Sequence, residues 1–193
     1  MRIKIFEGAR GTGKSTLASK FRQKQKETTL INFTGFHEDG EEGLTKVTDY
    51  YRAWMKSLFA LSTHDSSMVF DRFFYSEKVF SELYKEYDFS KSFYELSNLM
   101  EDLSYMGVKI DIFLFTINDE EELTQRLTRD KIPFAKVEES VSETLKQQEM
   151  YKRVMNQVSY VSGHKNLRVH VVDTTGKTND EVYEEVLKIE TAY

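Results

Sequence analysis

The sequence predicts a single α/β domain built on a five-stranded parallel sheet flanked by helices. Five short apolar segments typical of strands alternate with helical segments. None of them is joined to the next by a two-residue hairpin, so the connections must cross over the sheet. The strands are continuously apolar, as in a sheet that is covered on both faces. The 193 residues are also about the length of one domain.

Each element follows from a local pattern. The predicted strands are short apolar or β-branched runs at 1–6, 28–33, 67–71, 109–117 and 167–173. The predicted helices have apolar residues spaced three and four apart, at 17–26, 44–61, 75–87, 92–106, 119–129, 138–161 and 179–189. The stretch 34–43 is predicted to be a loop, and Pro133 to break the helical pattern at 130–136. Ligands of such a sheet bind at the carboxyl ends of its strands.

Composition argues against several classes of function. The net charge of −5 disfavours duplex nucleic acid as a partner, because proteins that bind it carry a basic field. The sequence has no cysteine, which excludes disulfides, thiolate zinc sites and a cysteine nucleophile, and is compatible with the expected location, the cytoplasm. No apolar run approaches the ~18 residues of a membrane span, and the first residues are unlike a signal peptide. We therefore expect no membrane association.

The first predicted strand leads directly into a glycine-rich loop that is followed by a helix. The loop has the pattern G-x-x-x-x-G-K-[ST], in which glycines let backbone amides surround an anion and the helix adds the positive end of its dipole. Lys14 of this pattern contacts the β- and γ-phosphates, and Ser15 is a ligand of Mg²⁺. The side chain of Arg10 meets either the transferring phosphate or solvent. The predicted triphosphate-binding residues are Gly8, Ala9, Arg10, Gly11, Thr12, Gly13, Lys14, Ser15 and Thr16.

An acid and an arginine end the third predicted strand. Asp71 would lie beside the phosphate loop, where a carboxylate can hold Mg²⁺ through water. The planar guanidinium of Arg72 suits a phosphate or a sugar hydroxyl. The alternative is that Asp71 only caps the next helix and that Arg72 is a surface residue. Six aromatic residues on this side would either hold a flat base or belong to the core: Phe36, Tyr51, Trp54, Phe73, Phe74 and Tyr75.

These motifs resemble two related kinase families. The segment from Phe6-Glu7-Gly8 to Thr16 is similar to the opening of thymidylate kinases and deoxynucleoside kinases, whose phosphate loops begin Glu-Gly. Asp71-Arg72-Phe73 with Ser76 resembles the Asp-Arg-Tyr and Ser motif of thymidylate kinases and, nearly as closely, the Glu-Arg-Ser motif of deoxynucleoside kinases. The resemblance follows the whole chain in order, and these two motifs are its specific part. It implies a three-layer P-loop kinase domain over 1–193, with a small lid around 126–137.

The resemblance also implies roles for individual residues. Arg126 and Arg129 lie where those families carry arginines that enter a mobile lid and close over the transferring group. Thr175 lies where the last strand passes the adenine of ATP. The implied catalytic residues are Lys14, Asp71, Arg72, Arg126, Arg129 and Glu38, with Ser15 and Asp71 as the Mg²⁺ ligands.

Two departures from the families bear on the acceptor. Thymidylate kinases place an arginine just after the second strand to hold the acceptor phosphate, but residues 36–42 contain neither arginine nor lysine. Deoxynucleoside kinases place a glutamate there as general base for the 5′-hydroxyl, a role open to Glu38. The lid is also thin, with Arg126, Arg129 and Lys131.

The expected reaction is transfer of the γ-phosphoryl group of ATP, with Mg²⁺, to a deoxynucleoside monophosphate, as in thymidylate kinases. Phosphorylation of the 5′-hydroxyl of a deoxynucleoside is the alternative, and an NTP-hydrolysing switch or motor is a more remote one. The expected partner is the small-molecule acceptor, whether nucleoside or nucleotide, and a homodimer is left open.

Overall fold

The computed structural model describes residues 1–33, 35–129, 137–161 and 165–192. Over these residues the strands are β1 (Arg2–Glu7), β2 (Thr28–Asn32), β3 (Ser67–Asp71), β4 (Lys109–Thr116) and β5 (Leu167–Asp173). The helices are α1 (Lys14–Lys24), α2 (Gly40–Leu61), α3 (Phe74–Tyr84), α4 (Ser90–Tyr105), α5 (Glu120–Arg129), α6 (Val137–Val161) and α7 (Asn179–Thr191). The predicted break at 130–136, with Pro133 and Lys131, lies outside the described residues.

The five strands form one parallel sheet in the order β2-β3-β1-β4-β5. This confirms the predicted fold class, since each pair of consecutive strands is connected through at least one helix. β1 is the central strand, and Phe6 pairs in register with Asp71 of β3 on one side and with Phe113 of β4 on the other. The loop that follows β1 therefore begins beside the end of β3.

Helices cover both faces of the sheet. Ile3 and Ile5 of β1 belong to the larger core, to which α2, α3, α4 and α6 contribute, whereas Phe6 belongs to a second core with α1 and α7. This separation follows from the alternation of side chains along a strand. Within the part of the chain described here, none of the helices combines the length and the apolar character needed to cross a membrane.

Two buried charged residues lie in the middle of predicted apolar strands. Lys4 and Asp111 are both buried, at 2% and 5% exposed. The ammonium of Lys4 lies 2.8 Å from a carboxylate oxygen of Glu190, and Asp111 pairs with Arg168 and His170 at 2.8 Å each. A buried charge is tolerated where such a partner compensates its lost hydration.

Two helices begin three or more residues before their predicted start. The predicted loop 34–43 is wrong in its last four residues, because α2 already begins at Gly40. The side chain of Asp39 accepts a hydrogen bond from the Gly40 amide at 2.8 Å, and acids in the first turn favour a helix N-terminus. The first helix begins at Lys14 rather than at residue 17, directly after Gly13, whose φ of 82° is left-handed.

Candidate active site

The phosphate loop has a backbone that requires glycine. Gly8 has a φ of 143°, and a Cβ atom there would lie 2.5 Å from the carbonyl oxygen of Phe115. Gly13 precedes α1 without a side-chain cap, so the first amides of this helix remain for an anion. The hydroxyl of Thr12 donates to the Ala9 carbonyl oxygen at 2.9 Å and closes the loop. The loop therefore has the geometry of an anion cradle, as its sequence predicts.

Lys14 is buried at the foot of this loop. Its side chain is 6% exposed, and its ammonium group donates to the Ala9 carbonyl oxygen at 3.4 Å. Burial and the nearby charge of Arg72 lower the pKa of Lys14 to about 8. A bound polyphosphate would supply negative charge close to this ammonium group and raise its pKa again.

A cavity of about 650 Å³ opens above the loop, within the size range of small-molecule sites. Three parts of the chain form most of its wall, and Phe115 and Val182 complete it. The three parts are the loop and the start of α1 (10–17), the residues Glu122, Gln125, Arg126 and Arg129 of α5, and the residues Thr174, Lys177, Thr178 and Asn179 after β5. Basic side chains outnumber acidic ones in this wall, which suits an anionic ligand.

Arg126 joins two parts of that wall. Its guanidinium donates to the Gly11 carbonyl oxygen at 3.2 Å and to the Thr174 carbonyl oxygen at 2.7 Å, and it pairs with Glu122. In this structure it thus connects the phosphate loop to the end of β5. Arg129 lines the same cavity. The predicted closure of both arginines over the transferring group stays a prediction, because most of the lid segment lies outside the described residues.

Thr175, the residue predicted to pass the adenine, is not among the residues that line this cavity. The hydroxyl of Thr175 donates to Asp173 at 2.6 Å and accepts from the Asn118 amide at 2.8 Å. Its neighbour Thr174 lines the cavity instead. Whether Thr175 contacts a nucleotide therefore stays a prediction.

Asp71 ends β3 and is 3% exposed. One carboxylate oxygen accepts from the Asn32 side-chain amide at 3.2 Å, and among the described residues nothing donates to the other, Oδ1. The helix-cap alternative is wrong, since α3 begins at Phe74 and the residue before it, Phe73, makes no side-chain cap. A buried carboxylate oxygen without a protein donor fits a ligand of Mg²⁺ or of its water.

Arg72 follows with an unusual backbone. Its φ of 71° lies in the left-handed region, which is disfavoured for a residue with a Cβ atom. The guanidinium carbon lies 5.5 Å from the ring centre of Phe80. Arg72 also lines a second cavity, of about 130 Å³, on the side of α2 and α3.

This second cavity combines rings with charged groups. It is lined by Phe33, Gly35, Phe36, Tyr51, Arg72, Ser76, Glu77, Phe80 and Lys85. Two of the six predicted rings, Phe36 and Tyr51, line it. The other four belong to the core: Phe73, Phe74 and Tyr75 are at most 1% exposed, and Trp54 packs on Phe33 and Phe70.

Two charged groups of this cavity were not predicted. The ammonium group of Lys85 donates to the carbonyl oxygens of His37 and Glu38, at 3.2 and 2.9 Å. The only hint in the sequence was that residues 36–42 contain neither arginine nor lysine. The carboxyl group of Glu77 is buried, accepts from the Tyr87 hydroxyl, and has a pKa that burial raises.

Glu38, the predicted general base, lies at the surface. Its side chain is 52% exposed, and its carboxylate pairs with Lys46 at 2.6 Å. The buried carboxylate nearest to the phosphate loop in sequence is Glu7, at the end of β1. Burial raises the pKa of Glu7 to about 7, although hydrogen bonds from Ser76 and from the Phe73 amide oppose this rise.

The fold is shared with P-loop kinases of known structure. A scan against protein-family models found no match, and a search of curated proteins found none either. The thymidylate kinase from Candida albicans has a TM-score of 0.60 and 17% identity, over 97% of this chain and 89% of that one. The deoxyadenosine kinase from M. mycoides, whose structure contains dCMP and dCDP, has a TM-score of 0.54 and 14% identity, over 100% and 99%.

A polyphosphate kinase 2 from Arthrobacter aurescens is also similar, with a TM-score of 0.59 and 15% identity. The alignment covers 96% of this chain and 64% of that one. At such low identities, the structural similarity establishes the fold alone: a five-stranded parallel sheet flanked by helices, as in P-loop kinases.

Proposed function

We propose that this protein transfers the γ-phosphoryl group of ATP to a deoxynucleoside monophosphate. The main support is the pairing of a phosphate-loop cavity, with Lys14, and a ring-lined cavity, with Arg72. These two residues are close enough for the charge of Arg72 to lower the pKa of Lys14. A donor and an acceptor that are bound in neighbouring cavities are already close and oriented, which lowers the entropic cost of their reaction.

On the donor side, Lys14 and the loop amides hold the β- and γ-phosphates. Asp71 and Ser15 are the residues that would hold Mg²⁺, which supplies charge neutralisation on the phosphates when bound. Because phosphoryl transfer needs little covalent help from the protein, positioning and electrostatic stabilisation carry the catalysis.

On the acceptor side, the rings of Phe36 and Tyr51 suit a flat base, and the cations Arg72 and Lys85 suit a phosphate. Lys85 compensates for the arginine that is missing after β2. This pair of cations favours a monophosphate over a nucleoside.

The second candidate is phosphorylation of a deoxynucleoside. Its support is Glu77, a buried carboxyl group in the same cavity whose pKa is raised by burial, which makes its carboxylate a stronger proton acceptor than an exposed one. The surface pair of Glu38 with Lys46 makes Glu38 the weaker candidate for that base.

The deciding experiment measures ATP consumption with thymidine, dTMP and the corresponding compounds of the other bases. We expect turnover to require an acceptor and to favour a monophosphate. Arg72→Lys keeps the charge but loses the planar fork, so it should lower kcat/KM for the monophosphate about tenfold. Arg52→Lys, on the outer face of α2, is the matched control.

Two outcomes would contradict the proposal. Phosphorylation of thymidine but not of dTMP, abolished by Glu38→Gln or Glu77→Gln, would establish the second candidate. ATP hydrolysis that is indifferent to every acceptor would instead indicate a switch or a motor.

A further inference from the structure

The backbone of Arg72 is held by two consecutive residues of β1. The Arg72 amide donates to the Phe6 carbonyl oxygen at 2.9 Å. The next amide, that of Phe73, donates to a carboxylate oxygen of Glu7 at 2.8 Å. The left-handed conformation of Arg72 is disfavoured on its own. We therefore expect these two flanking hydrogen bonds to stabilise the backbone between β3 and α3.

The second carboxylate oxygen of Glu7 continues the connection. It accepts a hydrogen bond from the Ser76 hydroxyl in the first turn of α3, and that hydroxyl lies 2.7 Å from the hydroxyl of Tyr151 in α6. Glu7 and Tyr151 are fully buried, and Ser76 is 6% exposed. The Glu7 carboxylate thus connects β1, which leads into the phosphate loop, to α3. Through the Ser76 hydroxyl, the connection continues to α6.

Glu7 also lies within the electrostatic reach of both functional cations. The charges of Arg72 and Lys14 both act on its carboxyl group. Glu7 is fully buried and lines neither cavity, so we expect any contribution to the reaction to pass through its neighbours.

We propose that Glu7 is a positioning residue that keeps Arg72 aimed at the acceptor cavity and couples this aim to the strand of the phosphate loop. The proposal rests on the proposed function of Arg72 as an acceptor ligand. Ser76 and Tyr151 extend the coupling to α3 and α6.

The kinetic test compares Glu7→Gln with wild type at pH 8, above the raised pKa of about 7 at which the Glu7 carboxyl group loses its proton. Glutamine keeps the size and one acceptor oxygen, but it loses the charge and presents an amide donor toward Ser76. Losing a charged hydrogen-bond acceptor is expected to lower kcat/KM for the acceptor about tenfold, while KM for ATP stays within about twofold. Tyr151→Phe, which removes only the hydroxyl at the far end of this connection, should lower kcat/KM for the acceptor about threefold.

Ser81→Ala is the matched control, since Ser81 is a buried serine of α3 that donates to its own helix, at the Lys78 carbonyl oxygen. We expect its kinetics to equal those of wild type. Wild-type acceptor kinetics in both Glu7→Gln and Tyr151→Phe would overturn the proposal. An equal loss for ATP and for the acceptor would overturn it too, because it would indicate general damage.

A second measurement does not depend on activity. Hydrogen exchange at the amides of residues 72–77 should be about tenfold faster in Glu7→Gln and in Ser76→Ala than in Ser81→Ala, with α1 unchanged. Unchanged exchange in both variants would overturn the proposal. If wild type phosphorylates none of the acceptors, the proposed function fails, and the exchange measurement alone decides whether Glu7 holds this junction.

Discussion

Lys14 is a buried cation, and among the residues that the structure describes its only hydrogen-bond acceptor is the Ala9 carbonyl oxygen, at the long distance of 3.4 Å. Its lowered pKa means that the folded protein holds the charged form less well than water does. The burial of this charge therefore does not stabilise the fold, whereas an anionic ligand would compensate for it.

Lys14→Ala should lower kcat about 10²- to 10³-fold, because a preorganised charge at the transferring group is lost. The melting temperature should stay the same or rise, since a buried charge has been removed. Steady-state kinetics and thermal denaturation measure the two effects. Lys24→Ala, at the exposed end of α1, is the control, and near-normal turnover in a folded Lys14→Ala variant would refute the role of the loop.

Asp71→Asn should reduce turnover far more than ATP binding, and most strongly at low Mg²⁺. Asparagine retains the size and one oxygen but lacks the charge that attracts the ion. The measurement is a Mg²⁺ titration of kcat beside an ATP titration by calorimetry. Asp111→Asn alters another buried carboxylate of the sheet and should change stability without changing the Mg²⁺ dependence. An Asp71→Asn variant with a wild-type Mg²⁺ profile would speak against the metal role.

Sequence reasoning at this scale located the features that follow from a local pattern. The loop 8–16 and the acid at position 71 lie where they were predicted, because the loop directly follows β1 and the acid is the last residue of β3. Lys85 and Asn32 were missed, because they meet their partners across 47 and 39 positions of the chain. No local pattern encodes such contacts.

At the scale of elements, α7 begins with a reciprocal cap beside the larger cavity. The Thr178 hydroxyl accepts from the Glu181 amide at 3.3 Å, and the Glu181 carboxylate accepts from the Thr178 amide at 2.8 Å. This capping box satisfies two backbone donors that a helix start leaves without partners.

Thr178→Ala should lower the free energy of unfolding by about 1 kcal/mol, because it removes the side-chain acceptor of this cap. Urea denaturation followed by circular dichroism measures the change. Thr178→Ser keeps the hydroxyl and should remain close to wild type. Equal losses in both variants would show that the methyl group, and not the cap, is responsible.

The ends of elements were the weakest part of the sequence prediction. Residues 40–43 are acidic and glycine-rich, and this composition indicated a loop. Asp39 caps the helix at this point, and its carboxylate also accepts from the Glu86 amide, which belongs to the connection between α3 and α4. A contact with a distant segment thus supports a helix start that composition alone disfavours.

At the scale of the whole molecule, the buried Glu7 links stability to pH. Its pKa rises from 4.5 to about 7 on folding, so between these values the folded protein binds a proton that the unfolded chain releases. The stabilising contribution of the protonated group is complete below about pH 4.5 and is lost as the pH rises through about 7.

The unfolding free energy of wild type should therefore fall relative to that of Glu7→Gln between pH 5 and pH 8, by at most about 3 kcal/mol. Urea denaturation of both proteins at each pH measures the difference, and other titrating groups cancel in the comparison. Parallel pH profiles of the two proteins would show that the Glu7 carboxyl group titrates at its ordinary pKa.

The sequence by itself determined the architecture and the position of the phosphate loop. Strand–loop–helix order, continuous apolar strands and the glycine pattern are local properties, and they correctly predict the parallel sheet and the anion cradle after β1. Only the tertiary structure decided what lies in and around the ring-lined cavity. It pairs Glu38 with Lys46 at the surface, brings Lys85 to the ring-lined cavity, and joins Glu7 to Ser76 across 69 positions of the chain and Ser76 to Tyr151 across 75. Such contacts arise from how the helices pack on the sheet, which depends on many residues at once.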